Sequence, residues 1–140
     1  MPDTISYLMA KVCRAHRGLA GALLADYGLH VGQEVLLMHL WEYDGRSQSE
    51  LVDLMAVEPP TLTRMLNRLE KSGLVERQRD QIDARVWRIY LTEAGWALEE
   101  PIQRVWRELE ARTIANLAIE ERVLLRRLLM QVRRNLEESS

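Results

Sequence analysis

The stretch that decides the fold is residues 47–92, SQSELVDLMAVEPPTLTRMLNRLEKSGLVERQRDQIDARVWRIYLT. Its first part predicts two short helices joined by a tight turn. Ser47, followed by Glu50 three residues later, is the pattern of a capping box, in which each side chain accepts a hydrogen bond from the other residue's backbone amide. The first helix is predicted to bury one apolar face, formed by Leu51, Leu54 and Met55.

The second helix is predicted to start at Pro59-Pro60, because proline lacks the backbone amide that stays unpaired in a first turn. Apolar residues recur along it at spacings of three and four and predict its buried side: Leu62, Met65, Leu66 and Leu69. Gly73 is suited to close the helix, since glycine adopts the left-handed conformation of a cap without strain. The polar side is left for solvent or a partner, and it comprises Thr61, Thr63, Arg64, Asn67, Arg68 and Lys71.

A two-stranded ribbon is predicted to follow. Leu74-Val75 begins its first strand, and the alternation in VWRIYL places apolar residues on one face of the second strand. These residues are Trp87, Ile89 and Leu91. The intervening segment, RQRDQIDAR (77–85), is too polar for the core and is predicted to be a charged loop. Two helices followed by a charged wing are typical of DNA-binding proteins, in which a helix enters the major groove and a basic loop reaches the minor groove.

The chain resembles the MarR family of bacterial transcription regulators in an ordered set of short matches. They are Gly28-Leu29 with Gln33, Ser47-Gln48-Ser49-Glu50-Leu51, Leu69-Glu70-Lys71-Ser72-Gly73-Leu74-Val75-Glu76-Arg77, Asp83-Ala84-Arg85 and Leu91-Thr92-Glu93-Ala94-Gly95. The resemblance implies a mainly α fold with a small β-ribbon wing, in a single domain over residues 1–140. A winged helix-turn-helix core at about 31–92 would form the DNA-binding lobe. N- and C-terminal dimerisation helices would occupy about 4–27 and 96–138.

Long amphipathic segments flank that core. From Ile5, apolar residues recur with helical spacing for six turns until Gly28. A similar stripe near the C-terminus comprises Leu124, Leu125, Leu128, Leu129, Val132 and Leu136. Stripes this long need an apolar surface to lie against. The two segments are predicted to pack together and with their copies in a homodimer, which the resemblance also implies. The alternative is a monomer whose terminal helices fold back on the core.

Two further helices are predicted between these parts. Residues 31–44, VGQEVLLMHLWEYD, are apolar on most sides and predict the central helix of the core. Another helix starts at Thr92, which can cap it, and continues to Leu109 with Pro101 inside its apolar pattern. Because an interior proline removes a helical hydrogen bond and clashes with the preceding turn, this helix is predicted to kink or split.

The net charge of −2 argues against a nucleic-acid binder only if the charge is evenly spread. Residues 59–92 hold seven Lys or Arg against four Asp or Glu, whereas the other residues hold twelve against seventeen. Since ionic fields are screened beyond about 8–10 Å at physiological salt, the local excess of positive charge decides phosphate attraction. The predicted partner is double-stranded DNA, bound by a dimer as a pseudo-palindromic operator.

The polar side of the second helix carries groups that suit base edges. Arg64 and Arg68 can bridge guanine O6 and N7, and Asn67 can pair bidentately with adenine, each contact worth about 1–3 kcal/mol of discrimination. Lys71 lies on the same face. At the start of the helix, hydroxyls meet phosphates or thymine methyl groups, and the candidates there are Thr61 and Thr63. The alternative is a solvated charged surface.

In the wing, the resemblance implies that Arg85 enters the minor groove while Asp83 helps to hold the wing conformation. A narrow A·T-rich minor groove is strongly negative and attracts arginine. Arg77 and Arg79 are candidates for phosphate contacts. The alternative for Asp83 and Arg85 is a surface ion pair worth about 0–1 kcal/mol.

Two histidines are candidates for effector binding. His16 lies on the N-terminal stripe, and His39 interrupts the apolar run of the central helix. The resemblance implies a small aromatic or phenolic effector in a cleft between the dimer helices and the DNA-binding lobe. A histidine there could hydrogen-bond a phenol or a carboxylate. The alternative is an interior histidine bonded to a backbone carbonyl.

Cys13 is the single cysteine and excludes an internal disulfide. The resemblance implies that a redox-sensing cysteine would lie near Ser6, so Cys13 is predicted to be a small buried helix residue. A redox-responsive regulator acting through Cys13 and a protein-binding winged helix are kept as alternative functions. The sequence has no metal-ligand spacing, phosphate loop or nucleophile elbow, so no catalytic site, cofactor or metal is predicted. Without an apolar run of eighteen residues or a signal segment, a cytoplasmic location and no membrane partner are expected.

Together these patterns predict a dimeric, sequence-specific DNA-binding transcription regulator. The resemblance implies a repressor that a small-molecule effector releases from its operator.

Overall fold

A computed structural model describes residues 1–139 as seven helices and one two-stranded antiparallel sheet. The elements are α1 (Ile5–Ala25), α2 (Gln33–Glu42), α3 (Gln48–Met55), α4 (Pro59–Lys71), β1 (Val75–Arg79), β2 (Trp87–Leu91), α5 (Glu93–Ala97), α6 (Glu99–Thr113) and α7 (Ile119–Glu138). The mainly α fold with a β-ribbon wing is therefore confirmed.

The core is built around α2. Leu36, Leu37 and Leu40 are fully buried on it, and α2 packs against α3, α6 and β2. The surrounding elements add further buried apolar residues, among them Leu51, Leu62, Leu66, Leu69, Val75, Ile89 and Ile102. The prediction of a central helix in residues 31–44 is confirmed. Helices α3 and α6 and the ribbon are thereby joined to α2 through one apolar core.

Helix α3 begins with the predicted capping box. The Ser47 hydroxyl accepts from the Glu50 amide at 3.1 Å, and the Ser47 amide donates to the Glu50 carboxylate at 3.3 Å. The predicted apolar face is wrong at Leu54, which is 47% exposed, whereas Val52 packs against the core. At about 100° per residue, Leu54 and Val52 lie on opposite sides of Leu51. Packing against α2 and α4 selects the Val52 side.

Helix α4 starts at Pro59 and buries Leu62, Leu66 and Leu69, as predicted, while Met65 is partly buried against the same core. After the helix, Gly73 has φ +76°, and the Leu74 amide donates to the Leu69 carbonyl. Glycine adopts this left-handed conformation without the strain that a Cβ atom would cause. The chain is thus turned directly from α4 into β1.

The ribbon pairs Val75 with Leu91 at one end and Arg79 with Trp87 at the other. Assigning all of residues 77–85 to a loop was wrong, because β1 continues through Arg79 and the connection spans only residues 80–86. Arg79, which lies in the part of β1 that was predicted to be loop, has a partner on β2. The Arg79 guanidinium lies 4.2 Å from the Trp87 ring centroid, across the ladder, in a cation–π contact.

The predicted helix after Thr92 is split. The Thr92 hydroxyl accepts from the Gly95 amide at 3.1 Å and caps α5, which ends at Ala97. Helix α6 then starts at Glu99, so Pro101 falls in its first turn, where a missing amide is tolerated. This explains how the chain continues through a proline without losing helical structure on either side of Leu98.

The terminal helices are not packed on each other as expected. Helix α1 packs chiefly against α6, through a C-terminal half that includes the buried Ala20 and Leu24. Its N-terminal half leaves Ile5, Leu8 and Val12 exposed, and α7 has no buried residue within the described chain. Helix α6 packs on the half of α1 that holds Ala20 and Leu24, and the apolar residues of the other half stay exposed in the single chain. Across residues 1–139, no helix combines the length and the apolar character needed to cross a membrane.

Candidate nucleic-acid interface

The polar side of α4 forms a continuous exposed surface, which we call the recognition face. It consists of Arg64, Asn67, Arg68 and Lys71, all exposed. These positions recur at three and four, so they share one side of the helix, opposite the buried leucines. Within residues 1–139, no hydrogen bond or ion pair is recorded for the side chains of Arg68 and Lys71. Their charges are available to an external anion.

The two threonines predicted at the start of α4 are half-buried. The Thr63 hydroxyl donates to the Pro59 carbonyl at 3.0 Å and accepts from the Gln48 side chain at 3.2 Å, which links α3 to α4. The Thr61 hydroxyl accepts from Arg64 at 3.3 Å. Thr63 therefore links α3 to α4 in the free protein, whereas the Thr61 bond stays within α4.

Arg77 links the wing to the recognition face, which the sequence did not predict. One terminal nitrogen of its guanidinium donates to Asn67 Oδ1 at 2.5 Å and to Glu70 Oε1 at 3.0 Å. The hydrogen bond from Arg77 lowers the pKa of the Glu70 carboxyl. The signal available in sequence was the strand alternation, which directs Arg77 to the same side as the buried Val75.

At the wing tip, Asp83 holds Arg85. The Asp83 carboxylate accepts from the Arg85 backbone amide at 3.0 Å and from its guanidinium at 3.1 and 3.2 Å. These bonds lower the pKa of Asp83, yet the Arg85 side chain remains 91% exposed. The tip therefore presents an arginine that is oriented by its neighbour and open to solvent. Nearby, Arg79 donates to the Ala84 carbonyl and so braces the loop.

The base of the wing is organised by Asp80 and Arg88, neither of which the sequence singled out. Arg88 donates to Asp80 Oδ1 at 2.6 Å and to the Gly45 carbonyl at 3.1 Å. The other Asp80 oxygen accepts from the backbone amides of Ile82 and Asp83. Chiefly through the Arg88 bond, the pKa of Asp80 falls to about 2. The Asp80 turn is a common role of aspartate, but the sequence carries no signal for the Arg88–Gly45 contact.

The candidate interface therefore combines an exposed basic helix with a ribbon that carries an exposed arginine at its tip. The sequence profile of the MarR family matches residues 29–87, which span α2 to the start of β2. The chain belongs to the MarR family. The resemblance carried by residues 28–95 is confirmed.

Individual members of the family show the extent of this similarity. TtmR of Methylorubrum extorquens (strain PA1), an HTH-type transcriptional regulator, is 41% identical over 86 residues, which are 61% of this chain and 42% of TtmR. The matched stretch thus spans less than half of that relative. A single-residue mutant of MarR from E. coli, complexed with operator DNA, is 29% identical with a TM-score of 0.83, over 91% of this chain and 92% of that one. The S. aureus MepR–DNA complex gives 25% identity and a TM-score of 0.87, over 94% and 98%.

This MarR-family chain also has a cleft between α1, α2 and α6, which we call the three-helix cleft. Its volume is about 240 Å³, and its polar and aromatic lining is His16, Arg17, Glu34 and Trp106. Glu34 is 3% exposed, and its two carboxylate oxygens accept from the Gly32 amide at 2.9 and 3.1 Å. Burial raises the pKa of Glu34, against the opposing effects of the Gly32 bond and the Arg17 charge.

The two candidate histidines are not brought together. His16 is exposed in this chain and lines the three-helix cleft, whereas His39 is not among the residues that line it. His39 follows Glu34 by five residues on α2, which turns it about 140° around the helix axis. It is half-buried, and its backbone carbonyl accepts from Arg46 at 3.0 Å. The polar residues that line the cleft together with His16 are Arg17 and Glu34, which the sequence did not single out as effector-binding candidates.

Cys13 is exposed, so its predicted burial is wrong. It lies in the N-terminal half of α1, which has no buried residue because α6 contacts the other half.

The described residues contain no cluster of three His, Cys, Asp or Glu side chains able to hold a metal ion.

Proposed function

We propose that this MarR-family chain is a homodimeric, sequence-specific DNA-binding transcription regulator, and a repressor that a small effector releases. The observation that carries the proposal is the recognition face beside the Arg85-tipped wing. Its charges project from a helix whose other side is locked into the core. Two relatives of the same fold are in complex with DNA, which supports this use of the surface.

In the proposed complex, α4 of each subunit enters the major groove and each wing reaches the flanking minor groove. Arg64, Arg68 and Lys71 meet base edges and phosphates. Arg85 enters the minor groove, where narrow A·T-rich sequence concentrates negative potential. The Asp83 carboxylate supports this role because it orients the guanidinium before DNA arrives.

The proposed dimer uses the apolar surfaces of the terminal helices. Several large apolar side chains there are at least two-fifths exposed in the single chain: Ile5, Leu8, Val12, Leu124, Leu128, Leu129 and Leu136. Large contiguous apolar patches on soluble proteins mark interaction surfaces, and burying a leucine side chain contributes about 1.5–3 kcal/mol. A second copy of the chain covers both helices and sets the distance between the two recognition faces.

The proposed effector is a small aromatic or phenolic molecule in the three-helix cleft. The Trp106 indole offers a stacking surface, while the Arg17 guanidinium and His16 imidazole offer donors to a carboxylate or phenolate oxygen. Because α1 and α6 also connect the proposed DNA-binding lobe to the proposed dimer region, a ligand between them biases the distance between recognition faces. It does so only to the extent that it binds one dimer shape more tightly than the other.

The DNA-binding proposal is tested with double-stranded DNA from upstream of the chain's own gene. We expect a retarded complex in a gel-shift titration, with an affinity that falls steeply between about 50 and 200 mM salt as counterions are released. Scrambled DNA of equal length is the control. If neither DNA binds at the lowest salt, the DNA-binding proposal fails.

The effector proposal is tested with His16→Ala, using salicylate and 4-hydroxybenzoate as probes. The variant should bind operator like the parent but need more probe for release, because one donor of the cleft is lost. His39→Ala is the matched control, since His39 lies outside the cleft lining. Equal probe sensitivity in all three proteins, or no release of the parent by either probe, counts against this site and this ligand class.

A further inference from the structure

The bond between Arg77 and Asn67 has a consequence for base reading. Helix α4 packs against β1, and strand alternation places Arg77 on the side of the strand that faces that helix. Its side chain is only 23% exposed. The guanidinium donates to Asn67 Oδ1 and to Glu70, one helical turn further along α4. Arg77 is thereby held against the recognition helix by a charged partner as well as by Asn67.

This contact orients the Asn67 carboxamide. Oδ1 and Nδ2 branch from the same carbon, so an oxygen turned towards the wing leaves the amide nitrogen directed away from it. Asn67 is exposed, and no bond to its amide nitrogen is recorded within residues 1–139. The recognition face therefore presents the two N–H donors of Asn67, while its acceptor oxygen serves the protein.

Base edges distinguish between these two ends of a carboxamide. Bidentate recognition of adenine needs both ends, because adenine offers its N6 amino group as a donor and N7 as an acceptor. Guanine offers acceptors at both O6 and N7, and thymine offers O4. An asparagine that presents only donors matches the guanine and thymine edges. The donor of adenine would face another donor.

We propose that Arg77 is a positioning residue that makes Asn67 a hydrogen-bond donor to guanine or thymine, rather than a bidentate partner of adenine. The inference rests on the proposed DNA-binding function and specifies its base preference. It replaces the adenine pairing expected for Asn67 from sequence alone. Glu70 keeps the guanidinium in place, so the orientation exists before DNA is bound and is not created by it.

The test is selection of binding sites from a randomised double-stranded DNA library, followed by affinity measurements on single-base variants of the selected site. For the parent, we expect one position in each half-site to prefer guanine or thymine over adenine by about five- to tenfold. Asn67→Ala should abolish the preference at that position alone. Arg77→Met should admit adenine there, because the freed carboxamide can rotate. The positions independent of Asn67 should be unchanged.

Two variants keep the test decisive if Arg77→Met folds poorly. Asn67→Asp retains an acceptor for Arg77 but has no donor, so its preferred base should change to adenine or cytosine, whose amino groups donate. Glu70→Gln removes the charge but keeps a side-chain oxygen that can accept from Arg77, so the Asn67 bond and the parental base preference should be kept. Unfolding curves by circular dichroism confirm that each variant is folded.

The outcomes separate the two proposals. An Asn67-dependent preference for adenine in the parent would overturn the donor assignment, and so would an unchanged preference in folded Arg77→Met. If the library yields no selected sequence at any salt concentration, the DNA-binding function itself fails. If a sequence is selected and no position depends on Asn67, DNA binding stands and the inference is refuted.

Discussion

Replacing Arg85 by alanine should separate DNA binding from folding. The Arg85 side chain is 91% exposed, and its recorded side-chain contacts are with Asp83. Exposed ion pairs contribute about 0–1 kcal/mol, so the free energy of unfolding of Arg85→Ala should stay within about 1 kcal/mol of the parent. The core that holds the wing base, through Ile89 and Val75, is untouched.

The effect on binding follows from counterion release. Each cation that neutralises a DNA phosphate contributes about 0.9 to the slope of log affinity against log salt concentration. A dimer with two wings loses two such cations, so the slope of Arg85→Ala should be shallower by about 1.8. Operator affinity should fall most at low salt, where the lost electrostatic attraction is least screened.

The assay is fluorescence anisotropy with labelled operator DNA between about 50 and 200 mM salt, together with urea unfolding. Arg104→Ala is the matched control, because it also removes one exposed arginine from an ion pair, with Glu100 on α6. An affinity and a salt slope equal to those of the parent would refute the wing-tip role. A loss of several kcal/mol in unfolding free energy would show that Arg85 stabilises the fold, contrary to this prediction.

Three further predictions concern the wing, the core and the dimer. Because bonds led by that of Arg88 lower the pKa of Asp80 to about 2, its stabilisation of the wing should be complete above about pH 4 and lost as pH falls towards 2; an ordinary pKa in a carboxyl NMR titration contradicts this. Gly95→Ala places Cβ 2.2 Å from a backbone oxygen and should destabilise by about 1–3 kcal/mol. Gly18→Ala, with open space around Cβ, should stabilise by about 0.5–1 kcal/mol; equal changes in urea unfolding contradict the packing argument. Leu128→Glu should yield folded monomers in light scattering, and a dimeric variant or a monomeric parent refutes the proposed interface.

The parts of the fold that could be predicted depend on neighbouring residues. The Ser47–Glu50 box, the Pro59 start and the Gly73 cap each involve backbone groups within a few positions, so the residue types specify them directly. The same holds for the period-2 pattern of β2. These local signals, in their order along the chain, were sufficient for the winged helix and for the recognition face.

The errors share a different cause. Leu54 lies on a helix whose periodicity allows more than one buried direction, and Cys13 lies on a helix of which only one half contains buried residues. The neighbouring helix decides which part of a helix is buried. In α3, Val52 packs against the core and Leu54 is exposed. In α1, the C-terminal half contains the buried residues and the half that holds Cys13 contains none. The spacing of apolar residues limits how wide the buried face of a helix can be, but the element packed against the helix determines where that face is centred.

The sequence by itself determined which segments become helix, turn and strand and which surface carries positive charge, because those properties follow from local residue types and spacing. Tertiary structure alone decided which polar groups meet. Arg88 reaches the Gly45 carbonyl across 43 positions, and Arg77 reaches Asn67 across ten. Such contacts depend on how elements pack, and no local pattern encodes a pairing that forms only when two separate elements are brought side by side. The orientation of Asn67 on the recognition face is a property of this second kind.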